Sequence, residues 1–176
     1  MEKIPDRTLF HCFGLRISVM PSVMPALALL WVILALIAVF AFGFPLTVAI
    51  GITLVAVGLH VISELWHQLG HAFAARATGY PMVGVRFWWL LAASVYPENE
   101  PELAPAIHIR RALGGPIASA LLSLVAGLLW LVLRDSGPVG WVVGLWFAEN
   151  LLLFTAQVLV PFGFNDGATI WHWLRR

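Results

Sequence analysis

One cysteine stands in the whole chain, Cys12. It excludes an internal disulfide and a cage of thiolates, so any metal here has to be held by nitrogen and oxygen. Charge is nearly as scarce. Ten Lys and Arg face nine Asp and Glu in 176 residues, the net charge is +1, and the charges avoid the long apolar runs. No basic stripe is present that could follow a phosphate backbone, so nucleic acid is not an expected partner. There is no internal repeat and no polar stretch long enough for a separate soluble domain, which predicts a single unit over residues 1–176.

What the chain has in excess is apolar surface. It is 61% hydrophobic with a mean hydropathy of +0.90, beyond what a soluble domain can bury, so lipid has to take the rest. The expectation is an integral membrane protein, α-helical and polytopic. A spanning helix needs about 20 apolar residues, and four segments qualify, roughly residues 21–44, 46–79, 112–133 and 138–160. At about 1.5 Å of rise per residue the second is overlong, so its carboxyl end should tilt, kink or leave the membrane. The first apolar run is too long, and too far from the amino terminus, for a cleaved signal peptide, which predicts a retained span.

Orientation follows from the basic residues. With the amino terminus cytoplasmic, Lys3, Arg7, Arg16, Arg76, Arg86, Arg110, Arg111, Arg175 and Arg176 lie inside and Arg134 alone outside, which the positive-inside rule favours. Both termini are then cytoplasmic. Trp88, Trp89, Trp171 and Trp173 suit an inner aromatic belt or simple lipid-facing bulk. Residues 13–20 alternate and end at Pro21, while residues 81–97 are β-branched and aromatic between prolines. Both read as short strand or re-entrant segments at the cytoplasmic side. Residues 97–105, "PENEPELAP", read as an acidic surface loop.

The chemistry concentrates in "ELWHQLGHAFAARATG", which starts at Glu64. At about 100° per residue, His60, Glu64, His67 and His71 share an arc about 60° wide. Histidines at i and i+4 can aim ring nitrogens at one point, the spacing of a zinc helix; they can also be two polar helix residues without a metal. Ionisable groups inside a membrane usually mark function. A third ligand is offered by Asp166 in "VPFGFNDGATIW", where the alternative is a helix cap, a part Asn165 could equally play. With both ends on one side of the membrane, the second span's histidines and Asp166 can meet at one depth.

With those residues, the chain resembles the site-2 protease family of intramembrane zinc metalloproteases, marked by HExxH on one membrane helix and an Asp-Gly pair after a proline turn on a later one. "HQLGHAFAARATG" is similar to its zinc helix, "ALGGPIASALLSL" to its Gly-Pro helix start, "LVPFGFNDG" to its Asp-Gly segment and "LRISVMPS" to its amino-terminal strand. The resemblance implies that His67, His71 and Asp166 bind Zn2+ with a water in the fourth position. It implies that the substrates are locally unwound transmembrane helices of other proteins. An unwound segment could be clamped by edge pairing to a strand from residues 81–97.

Two positions depart from the family. Val158 stands where it usually has an Asn; Gln157 and Asn150 are the residues near enough to substitute. Gln68 stands where it has the catalytic glutamate, and an amide cannot accept the water's proton, a contribution of roughly 10²- to 10⁴-fold. Gln68 has two possible origins, a Glu→Gln substitution that leaves an intact, disarmed site or the natural residue of a pseudoprotease that binds and regulates membrane helices. The undecayed motif around it favours the first. Of the other carboxylates, Glu64 is expected to orient His67 or His60, and Glu149 to bond a neighbouring helix near Asn150. A metal carrier using His60, Glu64, His67 and His71 as a pathway is a distant alternative. His11, His108 and His172 are expected at the interface, and Gly114, Gly115 and Pro116 are expected to start the third span and allow close packing.

Overall fold

The computed structural model describes residues 6–176; Lys3, counted above, lies outside them. Two strands, β1 (Arg7–Cys12) and β2 (Leu15–Val19), precede helix α1 (Val23–Phe40) and the long α2 (Leu46–Ala77). Strands β3 (Gly84–Trp88) and β4 (Leu91–Val95) follow, then α3 (Pro105–Leu133) and α4 (Pro138–Glu149). The α4 helix runs on as a π-helical turn, Asn150–Thr155, and a 3₁₀ turn, Ala156–Leu159, before α5 (Asp166–Leu174). Among the described residues, four helices are long and apolar enough to cross a membrane. Their outward faces carry exposed side chains such as Leu36, Phe40, Leu54, Leu128 and Val132, as lipid contact requires.

The expected all-α membrane protein with short strand segments is mostly helical as anticipated, and its four strands form one sheet in the order β1-β2-β3-β4. β1/β2 and β3/β4 are antiparallel hairpins, and β2 and β3 join them in parallel. Residues 81–97 thus hold the β3/β4 hairpin. Both hairpins put an aromatic residue where the turn calls for positive φ. Phe13 and Gly14 occupy the two positive-φ positions of the first, and Trp89 the positive-φ position of the second, places normally taken by Asn, Asp or Gly. Leu15, Ile17, Val85 and Phe87 face inward with Met82 and Ala75, which seats the sheet on the carboxyl half of α2. On the sheet's other side, Asp6 accepts hydrogen bonds from Ser18 Oγ and Arg86 Nε, each at 2.8 Å, and pairs with Arg16 at 3.3 Å.

Helix boundaries differ from the sequence reading in an informative way. At about 1.5 Å per residue, the 32 residues of α2 run about 48 Å, and the helix ends where Gly79 takes a φ of +83°. The third span starts at Pro105, not at residue 112, and Pro116 lies inside it. Proline suits the first helical position, where its missing N–H is not needed. Arg110 and Arg111 look like a membrane boundary in the sequence, but Arg111 is buried and folded into the helix by a bidentate pair with Glu100 at 2.5 and 3.1 Å. Gly114 permits the closest helix crossing: a Cβ there would lie 2.6 Å from the Ala74 methyl and closer to the Gly70 carbonyl.

Candidate metal centre

The histidine spacing on α2 does what helical geometry dictates. His67 Nε2 and His71 Nε2 lie 3.0 Å apart, and Asp166, the first residue of α5, brings Oδ2 to 3.1 Å from His67 Nε2 and Oδ1 to 3.3 Å from His71 Nε2. Among the described residues these three form the cluster with metal-ligand geometry, their donor atoms all within 4.8 Å of one another. Asn165 caps α5, its side chain accepting from Ala168 N. The cap and the ligand are thus two adjacent residues, which frees Asp166 to face inward.

The far side of each imidazole is fixed. His67 Nδ1 bonds Ser119 Oγ at 2.9 Å and His71 Nδ1 bonds the Arg111 carbonyl at 2.8 Å, both from α3. Such partners set the ring orientation and present Nε2 to an ion. Asp166 is held by Gln157, whose amide donates to Oδ2 at 2.6 Å. Burial alone would raise the Asp166 carboxyl, but hydrogen bonds from His67 and His71 overcome it and hold the group below the usual carboxylate range.

The space in front of the donors exists because residue 115 is glycine. A Cβ on Gly115 would lie 2.5 Å from His67 Nε2 and closer still to His71 Nε2. Zinc–nitrogen bonds are about 2.0–2.1 Å, so the missing methyl corresponds to the position of an ion. Two imidazoles, one carboxylate and a glycine-made space are a donor set that fits Zn2+.

The neighbouring candidates point elsewhere. Gln68 turns to β4, donating from Nε2 to the Ala92 carbonyl at 2.8 Å and accepting from Ser94 Oγ at 2.8 Å. Glu64 also reaches β4, accepting from Ala92 N at 3.0 Å, where the sequence suggested it would orient a histidine. His60 contacts Glu149 Oε1 at 2.5 Å and the Leu90 carbonyl at 2.8 Å, so His60, Glu64, His67 and His71 do not line up as an ion pathway. Asn150 is buried and donates to Ser63 Oγ and the Trp146 carbonyl. Gln157, and not Asn150, therefore touches Asp166. His108 stacks on Trp173 at 4.0 Å.

Sequence reasoning missed three contributors. Ser119 and Arg111 act on the histidines from a helix 40 or more residues away, a distance no local pattern reports. Gly115 was legible only as a packing glycine.

No protein-family model matches the sequence, and no curated protein matches it. Among solved structures, the fold is similar to that of the site-2 protease from Methanocaldococcus jannaschii, with a TM-score of 0.61 over 97% of this chain and 72% of that one, at 15% identity. The likeness read from the motifs therefore holds at the level of the fold.

Proposed function

We propose that this chain is an intramembrane zinc metalloprotease of site-2 type whose substrates are transmembrane segments of other proteins, disarmed by Gln68 at the position of the general base. The observation that carries the reading is the convergence of His67, His71 and Asp166 on a space that Gly115 leaves open, within a fold shared with a site-2 protease. A zinc ion bound there supplies a Lewis acid and a water of lowered pKa. Ser119 and the Arg111 carbonyl orient the imidazoles, and Gln157 orients Asp166. The Gln68 amide has no free base to offer and is tied to β4, so peptide hydrolysis is absent or very slow. The charge bias supports a centre near the cytoplasmic side with both termini inside.

The contacts of Gln68 favour a second reading, a pseudoprotease that binds and regulates membrane helices, because the surroundings match an amide. Cleavage of a panel of single-span substrates in liposomes, with zinc content measured, separates the two. One zinc per chain in both proteins, with cleavage only by Gln68→Glu, supports the protease. Zinc in both and cleavage by neither supports the binding protein, and absence of zinc from both refutes the metal centre.

A further inference from the structure

Crossing its ligand face, α2 presents a row of His60, Glu64 and Gln68, one per turn at intervals of four. Glu64 and Gln68 end on β4, and His60 on the residue just before it. His60 Nε2 meets the Leu90 carbonyl at 2.8 Å, Glu64 Oε2 accepts from Ala92 N at 3.0 Å, and Gln68 takes both the Ala92 carbonyl and the Ser94 hydroxyl at 2.8 Å.

These contacts lie on a particular side of β4. The strand is last in the sheet and pairs with β3 alone. In an antiparallel strand, alternate residues turn both N–H and C=O the same way. Val95 O accepts from Val83 N on the β3 side, so Leu91, Ala93 and Val95 serve the inner ladder. Ala92 and Ser94 then address the outer edge, and Ala92 is where α2 fills both backbone groups. An edge with its groups free is a template for another strand.

We infer that Glu64 and Gln68, with His60 beside them, hold the outer edge of β4 closed, so that an extended peptide joins this sheet only by displacing the Gln68 amide and the Glu64 carboxylate from Ala92. Gln68 is in this sense a positioning residue of the strand. Its amide has a hydrogen for the Ala92 carbonyl and an oxygen for the Ser94 hydroxyl; an ionised carboxylate has the oxygen but no hydrogen. The residue at the base position and the strand edge are therefore coupled: whatever pairs with Ala92 frees residue 68. The inference rests on the proposed function only in taking the arriving strand to be an unwound substrate segment. The closed edge itself does not depend on it.

The test uses the full chain in nanodiscs without added metal, so it stands or falls apart from zinc and cleavage. Amide exchange is followed at Ala92 and Ser94 in the parent, Glu64→Leu and Gln68→Leu. In parallel, a Thr/Val-alternating octapeptide carrying benzophenone is photo-crosslinked to each. In the parent, Ala92 should exchange more slowly than Ser94. Glu64→Leu, which removes the acceptor of the Ala92 N–H, should speed Ala92, and both variants should raise crosslinking to β4, each by about ten-fold, roughly what one hydrogen bond is worth, while Val85 and Phe87 in β3 keep their rates. Equal rates at Ala92 and Ser94 in the parent would overturn the inference, as would unchanged crosslinking in the variants. Acceleration spread over the whole sheet would also overturn it, since these residues would then be holding the fold and not the edge.

Discussion

Gly115→Ala adds one methyl group and should remove the metal centre while leaving the fold. The new carbon would stand 2.5 Å from His67 Nε2 and closer to His71 Nε2. Unbonded heavy atoms settle at about 3.5 Å, so the overlap is about 1 Å. The imidazoles cannot easily retreat, since Ser119 and the Arg111 carbonyl hold their opposite nitrogens at 2.9 and 2.8 Å. Loss of a mere outer partner lowers metal affinity about 10- to 100-fold, and a methyl in the ion's own space should reach at least about 100-fold. Gly58→Ala is the matched control on α2, where a Cβ meets nothing within 4 Å. It should keep the affinity and stabilise the helix by about 0.5–1 kcal/mol. Chelator competition and zinc content per chain give the affinity, and circular dichroism the helix content. Parent-like affinity in a folded Gly115→Ala chain would refute the placement of the ion.

Gln157→Leu removes the donor to Asp166 and should weaken zinc binding about 10- to 100-fold in the same competition assay, without loss of helix content. Glu100→Gln leaves the Arg111 charge, 6% exposed, without its carboxylate. Breaking one side of such a pair costs about 3–5 kcal/mol, which thermal unfolding in micelles should show, and adding Arg111→Met should recover much of it. Asp6 is held below its ordinary value chiefly by the Ser18 hydrogen bond, then by Arg86 and Arg16. Its stabilisation of the sheet should be present above the unfolded value of about 3.9 and be lost as pH falls through the lower folded value. Amide protection factors in β2 and β3 should therefore fall on acidification below about pH 4, and a fall that persisted in Asp6→Asn would assign it to another group.

The spans were legible because hydrocarbon imposes length and composition on any segment that crosses it, and the four runs show both. The α3 start is not legible in the sequence, because Arg111 reads as a boundary charge and only the fold brings Glu100 to neutralise it. The β1 strand has no clear sequence signal because its turn relies on Phe13 in a conformation that sequence patterns assign to Asn or Gly. Glu64 reads as a histidine partner because it shares the ligand face, but β4, more than 20 residues further on, offers it a backbone N–H.

The sequence by itself determined the i, i+4 register of His67 and His71, since a helix fixes that angle locally, and it singled out Asp166 by the proline and glycine around it. Tertiary structure alone decided what faces them. Ser119, Arg111 and Gly115 come from α3, Asp166 from α5 and the strand that claims Gln68 from the sheet, and contacts across such separations depend on how closely α2 and α3 approach. That approach is set by packing at Gly70 and Gly114, where the absence of two side chains brings the backbones together and α3 up to the histidines.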